Sequence, residues 1–66
     1  MENSIIAKRL IELRGGRTQK EVAESLGISI SALCMYEIGQ RIPRDEVKIK
    51  IAKYYEKSVQ DIFFKQ

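Results

Sequence analysis

The sequence predicts an all-α fold of five short helices, and three observations carry that expectation. β-Branched residues never alternate with polar ones over the length of a strand, so the period-2 signal of a sheet is missing. The single proline, Pro43, falls between helical patterns and not inside one. Stop and start signals punctuate the chain in order: Gly15-Gly16 then Thr18, Gly27 then Ser29, and finally Gly39.

The first helix is expected from Asn3 or Ser4 to Arg14, with Ile6, Leu10 and Leu13 on one face and the two glycines turning the chain. Thr18 caps the second helix, and Glu21, three positions on, reaches back to the Thr18 amide as a capping box. Val22, Ala23 and Leu26 form its inner stripe, and Gly27 ends it in a left-handed conformation. Ser29 caps a third helix that runs to about Ile38, where Gly39 closes it in the same way. After Gln40-Arg41-Ile42-Pro43, a fourth helix is expected over roughly Arg44 to Tyr55, turning Val47, Ile51 and Tyr54 or Tyr55 inward beside Ile49 and Ala52. Ser58 with Asp61 forms a second capping box and opens a short fifth helix, whose Val59, Ile62 and Phe63 close the core with Phe64 beyond.

With 66 residues the chain forms one domain, since a chain of this size buries only about 60% of its unfolded surface. Marginal stability is the expected consequence. Cys34 is the only cysteine, so no disulfide can form within the chain, and the absence of histidine leaves zinc almost no ligands. No metal or other cofactor is expected, and subunit association is the remaining source of stability. Ile62, Phe63 and Phe64 are the expected dimer surface. Met1 to Leu13 mixes Glu2, Lys8, Arg9 and Glu12 into its apolar residues, which fits neither a signal peptide nor a membrane span, so a cytoplasmic protein without a membrane partner is expected.

Two short helices joined at Leu26-Gly27-Ile28 make the arrangement in which one helix crosses a DNA backbone and the next lies in the major groove. At about 100° per residue, Leu33 and Tyr36 of the third helix point to one side, while Ile30, Ser31, Cys34, Met35 and Ile38 gather on the other. That second face is mostly apolar, and nothing downstream is long enough to cover it. A major groove is a suitable cover, because thymine methyl groups accept apolar contacts and Ser31 can bond to a base edge. A net charge of +3 and a pI near 9.2 are compatible with an anionic partner. No nucleophile paired with a base and no phosphate-cradling glycine loop can be found, which excludes the common enzyme classes, and no small-molecule site is evident.

The run Thr18-Gln19-Lys20-Glu21-Val22-Ala23-Glu24-Ser25-Leu26-Gly27-Ile28-Ser29, followed by Tyr36-Glu37-Ile38-Gly39-Gln40-Arg41-Ile42-Pro43, resembles the Cro and lambda-repressor helix-turn-helix family, also called the XRE family. The resemblance covers nearly the whole chain, with the motif at about 19–38. It implies a five-helix lambda-repressor-like domain, a bacterial or phage transcription regulator that binds double-stranded DNA as a homodimer. It also implies that Ile30, Ser31, Cys34 and Met35 face base edges and that Gln19 opens the second helix at a phosphate. The further expected phosphate contacts are Arg17, Lys20, Ser29, Ile38, Arg41 and Arg44. Family likeness pairs Glu37 with an arginine of the first helix, here Arg14. The chain departs from the family pattern at a short Gly15-Gly16-Arg17 turn, at Arg17 in place of an apolar residue, and at Lys48 in place of a leucine for which Val47 substitutes. The alternative from another class is a protein-interaction module, antitoxin-like or an antirepressor adaptor, gripping a partner through Ile30, Met35 and Ile38.

Overall fold

The computed structural model describes residues 2–64, with Glu2 described by its backbone alone; Met1, Lys65 and Gln66 of the expected 1–66 domain lie outside the described residues. Four α-helices follow in order, α1 (Glu2–Arg14), α2 (Gln19–Leu26), α3 (Ile30–Glu37) and α4 (Asp45–Tyr55), before a π-helical turn over Gln60–Phe64. The described residues contain no strand.

Local chemistry sets the boundaries. Thr18 Oγ1 accepts from the Glu21 amide at 3.0 Å, while the Glu21 carboxylate accepts from the Thr18 amide at 3.0 Å, so the expected capping box is complete. Gly27, at φ 71°, ends α2 with its own amide donating to the Glu24 carbonyl and the Ile28 amide donating to Ala23. Ser29 Oγ then accepts from the Ala32 amide at 3.0 Å and starts α3 two residues later. Ile38 is the last cap residue of α3, and Gly39, at φ 79°, turns the chain under α1. A side chain on Gly39 would be strained by that φ, while its Cβ would only reach contact distance of the Asn3 carbonyl oxygen at 3.4 Å, so conformation selects glycine there.

The core brings Ile6 and Leu10 of α1, Val22, Ala23 and Leu26 of α2, Leu33 of α3, Ile51 and Ala52 of α4, and Ile62 and Phe63 of the terminal turn into one cluster. Leu13, Ile28, Tyr36, Val47, Tyr54, Tyr55 and Val59 pack around it. α1 lies on α3, and α2 on both α3 and α4, which wedges α2 between the outer helices. Arg9 Nη1 donates to the Ile62 carbonyl at 2.9 Å and fastens the terminal turn to α1.

Three expectations change. Ile49 is exposed, because it lies about 200° around α4 from both Val47 and Ile51, and the apolar pattern of that segment does not follow its helical angles. Ser58 Oγ accepts from the Asp61 amide at 3.0 Å, but among the described residues the reciprocal bond, from the Ser58 amide to the Asp61 carboxylate, is missing, and the turn it opens winds as a π-helix. Ile62 and Phe63 are 2% and 7% exposed, so they belong to the core of a single subunit and offer no surface for a dimer; of the three expected interface residues only Phe64 stands in solvent.

Candidate nucleic-acid interface

The outward face of α3 is apolar and uncovered. Ile30, Met35 and Ile38 are 45%, 36% and 57% exposed, Ser31 is exposed between them and Cys34 is half-buried, while Leu33 on the opposite side is fully buried. Caps at each end and α1 and α2 behind hold the helix, so this face is presented by a rigid element.

A buried polar hub fixes how α3 sits on its neighbours. Glu37 ends α3 at 3% exposure; its Oε2 accepts from Arg14 Nε at 2.8 Å and its Oε1 from Gln19 Nε2 at 2.9 Å. One carboxylate thus ties the end of α1, the start of α2 and the end of α3. A carboxylate in the last turn of a helix opposes the helix dipole, and the two donors offset that cost. Arg14 is in turn held above the usual guanidinium range, chiefly by its hydrogen bond to Glu37, and its Nη1 donates to the Arg17 carbonyl at 2.9 Å. The family resemblance anticipates the Arg14–Glu37 pair, while the Gln19 bond and the depth of burial are missed. The only signal for that bond is that Gln19 opens α2, and its reach to Glu37 depends on how the helices pack.

The expected phosphate contacts divide into distinct groups. Arg41 and Arg44 are exposed and line a cleft of about 270 Å³ together with Tyr36, Ile42, Glu46 and Val47, and no described side chain pairs with either guanidinium. Lys20, at the start of α2, is exposed and also without a partner among the described residues. Ser29 is exposed and keeps its hydroxyl proton for an acceptor while its oxygen caps α3. Gln19 has one amide proton engaged by Glu37 and a second to donate.

Two of the group already direct a donor onto the domain itself. Arg17 folds back onto its own domain: Nη1 donates to the Leu13 carbonyl at 3.3 Å, and the guanidinium lies 5.4 and 5.8 Å from the Tyr54 and Tyr55 ring centroids. A cation can replace the usual apolar residue at this position because the two rings receive it. Ile38 has no polar side-chain atom, and its amide already donates to the Cys34 carbonyl at 3.0 Å, so it adds apolar surface only. Lys48 makes the parallel substitution in α4, its ammonium lying 5.6 and 4.9 Å from the Phe63 and Phe64 ring centroids while Val47 packs on the core.

Among the described residues no group of acidic, histidine and cysteine side chains is placed to hold a metal ion, and no helix is long and apolar enough to cross a membrane. A family model described as helix-turn-helix matches residues 6–62. Neither curated proteins nor solved structures give a significant match.

Proposed function

Because this chain belongs to the Cro and lambda-repressor-like (XRE) family of DNA-binding helix-turn-helix regulators, we propose that it acts as a repressor, binding a near-palindromic operator as a homodimer. In this reading each subunit lays α3 in the major groove, with the two copies about 34 Å apart on one face of the duplex. The observation that carries the reading is the apolar outer face of α3, held rigidly between caps and followed at its C-terminal end by the exposed guanidiniums of Arg41 and Arg44, which pair with no described side chain. Ile30, Ser31, Cys34 and Met35 are the base-facing side chains, with Ile38 extending their apolar surface at the end of α3; Gln19, Lys20, Ser29, Arg41 and Arg44 face phosphates. Gln19 reaches its phosphate from the Glu37 hub, which fixes the amide before DNA arrives.

Selection of bound sequences from a random duplex library tests the proposal. A two-fold symmetric consensus with half-sites one helical turn apart is expected. Failure to enrich any sequence, joined to a monomer in sedimentation with and without DNA, contradicts it. Arg41→Ala should weaken binding to all duplexes alike and lower the logarithmic salt slope by about 1 per subunit. If instead the apolar face grips a partner protein, the complex should survive salt that dissolves a phosphate-dominated one.

A further inference from the structure

The polar groups that usually read bases are missing from α3 or already engaged. Its residues Ile30 to Glu37 include no arginine, lysine, asparagine or glutamine. Its one charged side chain, Glu37, is buried in the hub, and that hub takes an amide proton of Gln19. Ser29 Oγ accepts from the Ala32 amide and its remaining proton, like the second amide proton of Gln19, serves a phosphate in the proposed complex, while the Tyr36 side chain is half-buried at the cleft with Arg41 and Arg44. Gln40 and Arg41 come after the left-handed Gly39, beyond the end of the helix. What α3 offers a groove is therefore the carbon surface of Ile30, Met35 and Ile38, with half-buried Cys34 and a single hydroxyl, Ser31.

The major-groove edge of a base pair carries one apolar group that differs between bases, the C5-methyl of thymine. Carbon laid against the cytosine amino group or guanine O6 strips those groups of water without returning a hydrogen bond, whereas carbon laid against the methyl buries apolar surface on both sides. Resting on the proposed groove-binding role of α3, we infer that this protein selects its operator chiefly by thymine methyl groups, read by Ile30, Met35 and Ile38, with Ser31 supplying the one polar base contact. The half-sites are accordingly A·T-rich under α3, and the discriminating feature is the methyl and not the Watson–Crick or amino pattern.

Replacing thymine by deoxyuridine at single positions of the selected operator removes the methyl and leaves every hydrogen-bonding atom in place. Each contacted methyl should then lower affinity about fourfold, the value of one buried methylene-sized group. Binding to a random-sequence duplex should not change. Ile30→Ala, Met35→Ala and Ile38→Ala, all at exposed positions whose folding can be checked by circular dichroism, should each abolish the deoxyuridine penalty at one position and keep it elsewhere. A selected half-site of G·C pairs alone, equal affinity for the deoxyuridine operator, or a penalty unchanged in all three variants overturns the inference while leaving the regulator reading intact. No sequence preference at all would instead remove that reading.

Discussion

Glu37 is the residue on which the geometry of the motif turns. It sits at 3% exposure with two donors, Arg14 and Gln19, arriving from different helices. Truncating one member of a buried pair strands the other, so Glu37→Ala should cost roughly 3 kcal/mol in urea unfolding, at the low end for buried pairs because Arg14 is partly solvated. Replacing both members, Arg14→Met with Glu37→Leu, should recover most of that loss. Tyr55 is the second residue with an unusual environment. Its hydroxyl is buried without a hydrogen-bond partner among the described residues, and burial, with the Glu37 carboxylate nearby, raises its pKa from 10.0 to about 12. Below pH 10 the phenol is neutral in both folded and unfolded chains; between 10.0 and about 12 only the unfolded chain ionises, so stability falls as pH rises through that window. Tyr55→Phe should melt at least as high as the parent at neutral pH and lose less between pH 10 and 12, because no ionisable phenol remains there. A lower melting temperature at neutral pH would show that the hydroxyl has a partner worth keeping.

At the scale of the element, α2 and α3 were the most legible parts of the chain. Their starts and stops are encoded by Thr18 with Glu21, Gly27, Ser29 and Gly39, each acting within a few residues of itself. Thr18→Ala should therefore cost about 1 kcal/mol, read as a lower urea midpoint at unchanged m. α4 shows the opposite case. Its C-terminal cap is Glu56 in the left-handed region at φ 59°, where glycine is the cheaper residue, so Glu56→Gly should stabilise by about 1 kcal/mol. Ile49 was misplaced because Val47, Ile49 and Ile51 alternate like a strand while the helix rotates them apart, and hydrophobic identity alone does not say which of them turns inward. The π-helical winding of Gln60–Phe64 likewise has no local signal beyond the Ser58 cap; the turn is held by Arg9 of α1, a partner distant in sequence.

For the whole molecule, the outward character of the α3 stripe was readable because it follows from helical angle alone, and the exposures of Ile30, Met35 and Ile38 agree with it. What was not readable depends on packing between distant segments: the Gln19–Glu37 bond, the capture of Arg17 by Tyr54 and Tyr55, and the burial of Ile62 and Phe63. That burial narrows any self-association near the C-terminus to Phe64 and its surroundings. If Arg41, Arg44 and Lys20 meet phosphates in both subunits of the proposed dimer, the logarithmic salt slope of operator binding should be about −5. The central claim is that the apolar face of α3 is the surface that meets DNA, and methyl-resolved NMR of isoleucine and methionine on adding selected duplex tests it most directly. The methyl signals of Ile30, Met35 and Ile38 should move and saturate together at the operator stoichiometry. Signals from those three that keep their free positions at saturating duplex would contradict the account.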